Sequence, residues 1–193
     1  EVKFLQSARS KLYPYVGPKT ITFFDYVGTV GEKDFRMMPK ATAQIPEGAK
    51  QLLFFFLPNP EGSQMPFRVF VFDDSEKAFP YQSAVVFNLS GRTLLMNQGS
   101  SLVRVNPGPM RPLGLRNGVG RFEFYYEVNG RRYQALNEIY RCRPDERIII
   151  ILLPPILEKS AVVRTRVIRD TKPKEEEVTD PKQRKPLNAT GGK

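Results

Sequence analysis

The sequence contains no histidine and only one cysteine, Cys142. Histidine is the commonest general base and metal ligand in proteins, so zinc sites, blue-copper sites and histidine-dependent serine or cysteine triads all lack required members here. Cys142 cannot form an internal disulfide, and we interpret it as a small apolar residue on a strand. We therefore predict no catalytic residues, no metal, no cofactor and no enzymatic activity.

Long apolar runs are also missing. The run from Ile148 to Leu153 ends at Pro154-Pro155, whereas a membrane-spanning helix needs roughly 18 to 20 apolar residues. Residues 1–19 contain no apolar region of the kind found in a secretory signal peptide. The sequence therefore predicts no membrane span and shows no export signal.

Proline and glycine punctuate short apolar runs along most of the chain. There are 17 Pro, 14 Gly, 14 Phe and 8 Tyr, a composition that is typical of many strands joined by turns around an aromatic core. We predict an all-β fold, a two-sheet antiparallel β-sandwich that is Ig-like or related. The predicted organisation is an N-terminal extension (1–19), the sandwich (20–169) and a disordered charged tail (170–193).

The clearest local signal is a hairpin centred on Asn129-Gly130. These two residues tolerate the positive φ that a type I′ turn requires. The turn predicts three pairs of opposed residues: Val128 with Arg131, Glu127 with Arg132, and Tyr126 with Tyr133. Because side chains alternate along a strand, Phe122 and Phe124 should face the core. The run from Ile148 to Leu153 is the best candidate for a central strand covered on both faces.

The chain is strongly basic, with a net charge of +10, which favours anionic partners. The best candidate for an anion-binding or partner-binding surface is a set of arginines with interleaved tyrosines, since guanidinium groups grip phosphate, sulfate or carboxylate. Arginine also keeps edge strands soluble, so this surface is only one interpretation. The set comprises Arg131, Arg132, Tyr133, Tyr140, Arg141, Arg143 and Arg147.

Paired carboxylates are the remaining route to catalysis. Asp73-Asp74 precede Ser75 and indicate a turn rather than a catalytic pair. Glu123 and Glu127 would lie about 13 Å apart on one strand face, beyond the roughly 5–9.5 Å that glycoside hydrolysis uses. A carbohydrate-active hydrolase or lectin would need acids that only the fold brings together.

Four segments of the chain follow one another in a distinctive order: FRVFVFDDSEKAFP, SAVVFNLSGRTL, VNPGP and RPDERIIIILLPP. A strand ending in Asp-Asp-Ser is followed by Phe-Pro, an Asn-Leu-Ser strand and a Pro-Gly turn. Over residues 45–169 this arrangement resembles a group of uncharacterised exported bacterial β-sandwich proteins. The resemblance implies a periplasmic or cell-envelope location and no activity.

These observations leave three hypotheses. The first is a non-catalytic binding or structural module of the bacterial cell envelope, whose partner is a protein or an envelope component. The second is a polyanion-binding module that holds nucleic acid or acidic glycan on the arginine and tyrosine surface. The third is the carbohydrate-active hydrolase or lectin.

Overall fold

The computed structural model describes residues 8–28, 31, 36–157 and 159–172, and within them every regular element is a β-strand. This confirms the all-β prediction. The strands are β1 (Thr20–Val27), β2 (Arg36–Gln44), β3 (Leu52–Pro58), β4 (Phe67–Asp73), β5 (Ser83–Asn88), β6 (Leu94–Gln98), β7 (Ser101–Val105), β8 (Gly108–Pro109), β9 (Leu113–Gly114), β10 (Val119–Val128), β11 (Arg131–Arg141), β12 (Glu146–Leu153) and β13 (Arg164–Thr171).

The strands form two hairpins and two larger sheets. The hairpins are β1–β2 and β3–β4, the four-stranded sheet has the order β11-β10-β6-β7, and the central sheet has the order β13-β12-β5-β8 with β9 also paired to β5. Every pairing is antiparallel except β5 with β12, which run parallel. The purely antiparallel prediction is wrong at this pair. Long intervening chain makes the parallel crossover possible, and both strands are buried, as parallel strands usually are.

The central sheet is buried on both faces, as predicted for the run in β12. Ile148 and Ile150 pack into the larger core, between the central and four-stranded sheets, together with Phe122 and Phe124. Ile149 and Ile151 pack on the opposite face, against Phe79 and residues of β3 and β4. The β3–β4 hairpin therefore adds a layer outside these two sheets, which the sequence did not predict.

The β10–β11 hairpin confirms the predicted turn and register. Asn129 and Gly130 have φ values of 49° and 73°, and the three predicted pairs stand opposite one another. β11 continues to Arg141. A bulge at Ala135 interrupts the pairing, because Phe124 opposes Leu136 whereas Tyr125 opposes Gln134. Phe122 and Phe124 are buried as expected.

The base of the β1–β2 hairpin is fixed to the rest of the fold by an aromatic cluster. The ring of Phe23 lies 5.7 Å from that of Phe54 and 4.8 Å from that of Phe56, measured between centroids, with both contacts edge-on. On β2, Ala41 and Ala43 are buried. The hairpin is therefore held at the end nearer Thr20, while its other end projects.

β13 continues through Thr171, past the predicted domain boundary at residue 169. Its extension has a physical cause: Asp170 binds Arg147 through an ion pair, which fixes the end of the strand. Of the predicted disordered tail (170–193), Asp170 and Thr171 belong to β13, and residues 173–193 lie outside the described residues.

Candidate functional site

The seven arginine and tyrosine residues predicted as a surface do not meet in one place. Arg131, Arg132 and Tyr133 lie at the start of β11, whereas Tyr140 and Arg141 lie at its end. A strand rises about 3.3 Å per residue, so the two ends of β11 are about 33 Å apart. The seven residues divide into two separate exposed groups and two buried side chains.

The group at the start of β11 is exposed and contains one cross-strand ion pair. The Nε atom of Arg132 lies 3.1 Å from Oε2 of Glu127, so these two residues, which the predicted register opposes, form a cross-strand ion pair. Tyr133 is 46% exposed. Exposed pairs of this kind contribute about 0.2–1 kcal/mol, so nothing at this end forms a built site.

Tyr140 belongs to the core rather than to a surface. Its ring packs edge-on against Phe122 with centroids 5.6 Å apart, and its hydroxyl donates to a carboxylate oxygen of Glu138. Burial is the main cause that raises the pKa of Tyr140 above its ordinary value, and the Glu138 hydrogen bond raises it further. The predicted surface role of Tyr140 is therefore replaced by a packing role.

Arg147 is also buried, with 3% of its side chain exposed. Its Nε atom lies 2.7 Å from Oδ2 of Asp170, and its Nη2 atom lies 3.3 Å from Oδ2 of Asp74. Its Nη1 atom donates to the backbone carbonyls of Asp74 at 2.9 Å and Phe79 at 2.8 Å. The predicted surface position of Arg147 is wrong because β12 is covered on both faces from its start.

A second arginine completes this buried network. Arg9 binds both Asp74 and Asp170, and Nε2 of Gln51 donates to Oδ2 of Asp74 at 2.9 Å. The network ties together five segments: the N-terminal segment, the residue before β3, the end of β4, the start of β12 and the end of β13. We define it as the buried arginine network, and its role is structural.

The other exposed group surrounds Glu146, where three arginines converge. Glu146 accepts from Arg143, whose Nη2 atom lies 2.9 Å from Oε1, and from Arg169, whose Nη1 atom lies 3.2 Å from Oε2. The same Nη1 atom of Arg169 donates to the Arg141 carbonyl at 2.8 Å. We call this open depression of about 450 Å³ the arginine depression; it is lined by Arg141, Cys142, Arg143, Glu146 and Arg169.

Electrostatics in the arginine depression favour a bound anion. A hydrogen bond from the backbone N–H of Arg143 is the main cause that lowers the pKa of Glu146, so its carboxylate stays ionised and positions two guanidinium groups. Among the described residues, the Arg141 side chain has no ion-pair partner. The remaining donors suit a carboxylate, sulfate or phosphate group. Sequence reasoning found Arg141 and Arg143 but missed Arg169, which arrives from another strand.

The distal half of the β1–β2 hairpin forms an apolar surface that sequence reasoning also missed. Opposed residues share a face, and the register pairs Phe24 with Pro39 and Tyr26 with Met37. This face, which we call the hairpin face, is opposite to the one that Phe23 uses to pack on β3. Phe24, Tyr26 and Met37 are 42%, 59% and 50% exposed.

No group of three or more Cys, Asp or Glu side chains within the described ranges is placed to hold a metal ion. Across the same residues, no helix has the length and apolar character needed to cross a membrane. Comparisons with protein-family models, with curated proteins and with solved structures find no match to this chain.

Proposed function

We propose that the chain is a non-catalytic binding or structural module of the bacterial cell envelope, built on an Ig-like or related two-sheet sandwich. The larger core between the central and four-stranded sheets supports this architecture, with the two hairpins as additions to the sandwich. The resemblance of residues 45–169 to exported bacterial proteins supports the location.

One observation carries the non-catalytic proposal: each buried carboxylate is held by two arginines. Asp74 binds Arg9 and Arg147, and Glu146 binds two arginines of the arginine depression. A general acid or base works best with a pKa near the operating pH, whereas the pKa of Glu146 is lowered. Asp74 and Asp170 do converge, but they meet at Arg147, which argues against the carbohydrate hydrolase.

The thiol supports the same proposal. Burial raises the pKa of Cys142, and its Sγ atom donates to the Glu146 carbonyl at 2.9 Å. Because the thiolate is the nucleophilic form, a thiol with a raised pKa is a poor nucleophile. The buried carboxylates and the thiol described above thus have structural roles, and we therefore assign the function to the surface.

The hairpin face is the surface that we assign to binding. Exposed apolar patches mark interaction sites in proteins that fold around a separate core. Here three large exposed side chains and Pro39 lie together on a two-stranded ribbon whose other face is anchored. Its contact is an envelope component.

The test combines fractionation with capture of the partner by the full chain. We expect the chain in the envelope fraction, where one component co-purifies with the wild type but not with Phe24→Ser/Tyr26→Ser. The matched control, Ile139→Ser/Val162→Ser, removes two apolar side chains that are also more than half exposed and should retain the component. A cytoplasmic location, or turnover of a substrate by purified protein, would refute the proposal.

A second candidate function is the binding of a polyanion at the arginine depression. It is favoured by the Arg141 guanidinium, which has no ion-pair partner within the described part of the chain and lines the depression with Arg143 and Arg169. The sharpest test compares two double variants that remove the same charge. Arg141→Gln/Arg143→Gln changes the depression, and Arg131→Gln/Arg132→Gln changes the opposite end of β11. Each pair contains one arginine with an ion-pair partner and one without, counted over the described residues.

On heparin or single-stranded DNA, we expect the depression variant to elute at clearly lower salt than the wild type. On single-stranded DNA, its slope of log K against log salt should fall by about 1.4, because two phosphate contacts are lost. The variant at the start of β11 should elute close to the wild type. Equal loss in both variants would show a diffuse charge effect and remove the depression as a site.

A further inference from the structure

The distal half of the β1–β2 hairpin has an uncharged outer face. The hairpin face consists of two aromatic residues, a methionine and a proline, opposed in register as Phe24 with Pro39 and Tyr26 with Met37. This apolar surface projects from the fold, so a partner that can surround it removes more of it from water than a flat surface can. Lipid is a partner of this kind.

The opposite face of the same segment is also partly apolar. Val27 and Met38 are 50% and 46% exposed, so exposed apolar side chains also lie on this face, beside the ion pair of Asp25 and Lys40. A protein partner that docks on one face leaves the other in water. A bilayer interface covers the ribbon on its outer face and along its edges, and therefore removes more of this apolar surface from water.

The size and charge of the segment agree with a lipid contact. With its hairpin face turned toward a bilayer, the ribbon presents side chains that can enter the boundary between headgroups and acyl chains, roughly 5–10 Å deep. The charge of Asp25 is offset by Lys40, whose Nζ atom lies 3.7 Å away, and Arg36 is left to reach the headgroups with its long side chain. The net charge of +10 favours an anionic surface.

We propose that the distal half of the β1–β2 hairpin enters the interfacial region of an anionic lipid bilayer, with the hairpin face toward the acyl chains. This inference rests on the envelope location proposed above and names lipid as the component that is bound. The base of the hairpin stays fixed on the aromatic cluster around Phe23, so the domain is held beside the membrane in a defined orientation.

Co-sedimentation of the full chain with vesicles tests this proposal. We expect the wild type to bind phosphatidylglycerol-containing vesicles more strongly than pure phosphatidylcholine vesicles. The triple variant Phe24→Ser/Tyr26→Ser/Met37→Ser should lose binding by about tenfold or more, because three apolar side chains no longer leave water. A thermal melt of the variant shows whether the fold is retained.

The matched control removes three exposed apolar side chains from other parts of the surface: Leu102→Ser/Ile139→Ser/Val162→Ser, which are 40%, 58% and 61% exposed in the wild type. Its vesicle binding should stay within about twofold of the wild type, since scattered exposed apolar groups contribute little to an interaction surface. Equal loss of binding in both triple variants would overturn the proposal.

A fluorescent probe gives a readout that does not depend on loss of binding. An environment-sensitive dye on Met37→Cys, which lies on the hairpin face, in a Cys142→Ser background, should shift to shorter wavelength when anionic vesicles are added, whereas the same dye on Ile139→Cys should not. Absence of the shift, or of wild-type binding to either vesicle type, would overturn the lipid contact. If the hairpin instead captures an envelope protein, the lipid proposal fails while the proposed binding function stands.

Discussion

Replacing Arg147 with methionine removes the centre of the buried arginine network while keeping a side chain of similar length. The guanidinium group makes four contacts: to the carboxylates of Asp170 and Asp74 at 2.7 and 3.3 Å, and to the carbonyls of Asp74 and Phe79 at 2.9 and 2.8 Å. Its plane also lies over the rings of Phe79 and Tyr81. Methionine retains part of the packing and none of the hydrogen bonds.

The expected cost follows from the groups that the variant leaves behind. A buried acceptor without its donor costs about 1–3 kcal/mol, and removing one partner of a buried ion pair typically costs about 3–5 kcal/mol. Arg9 still binds both carboxylates in the variant, which limits the loss. We therefore expect Arg147→Met to lower the free energy of unfolding by about 3–5 kcal/mol.

Urea denaturation followed by circular dichroism measures this loss. Arg132→Met is the control, because it breaks an exposed ion pair with Glu127 and should cost at most about 1 kcal/mol. Adding Asp74→Leu to Arg147→Met should cost less than the sum of the two single changes, since it also removes the unbalanced carboxylate. If Arg147→Met costs no more than Arg132→Met, the network is not a buried structural element, and its carboxylates become available for other roles.

Three further predictions concern the end of the fold that holds the arginine depression. Gly118→Ala should destabilise the protein by about 1–3 kcal/mol more than Gly130→Ala. Both glycines have positive φ, but only a Cβ at position 118 would lie 2.3 Å from the Cys142 carbonyl oxygen. Chemical denaturation of the two variants measures the difference, and equal values would contradict the close approach. The Cys142 thiol, with a pKa raised by burial, should react slowly with Ellman's reagent in the folded protein and rapidly after unfolding, and fast reaction in the native state would show that it is accessible. Glu146 has a pKa lowered from 4.5, so its stabilising effect should be present above pH 4.5 and lost as the pH falls through its folded-state pKa. Glu146→Gln should accordingly be less stable than the wild type near neutral pH, and the difference in the free energy of unfolding should become smaller in acid. A difference that does not become smaller in acid would refute this.

The parts of the fold that could be predicted from sequence are those determined locally. Asn129-Gly130 has one favoured turn geometry, and the turn determines which residues of β10 and β11 are opposed between it and the bulge at Ala135. The run from Ile148 to Leu153 has no polar position to leave exposed, so burial on both faces follows directly. In both cases the information lies within a few neighbouring residues.

The buried arginine network could not be predicted because its partners are far apart in the chain. Arg147 binds groups that lie 73 and 23 residues away, and Arg9 binds Asp170 across 161 residues. An arginine next to an apolar run has the same local pattern whether it ends in solvent or under another layer. The parallel pairing of β5 with β12 is non-local in the same way.

The hairpin face was missed for a different reason. In β1 and β2, apolar residues occupy adjacent positions, as in Phe23-Phe24, Tyr26-Val27 and Met37-Met38. Alternation of apolar and polar residues shows which strand face is buried, and these pairs remove that alternation. Only the position of β3 and β4 shows that Phe23 lies inward and Phe24 outward.

Photo-crosslinking from the hairpin face tests most directly whether this protein functions by binding in the envelope. Tyr26 and Tyr133 are both exposed, at 59% and 46%, and each can be replaced by photoreactive p-benzoyl-phenylalanine in the full chain in cells. We predict a discrete adduct with an envelope component from position 26 and none from position 133. No adduct from position 26, or the same adducts from both positions, would contradict the assignment of the hairpin as the binding surface.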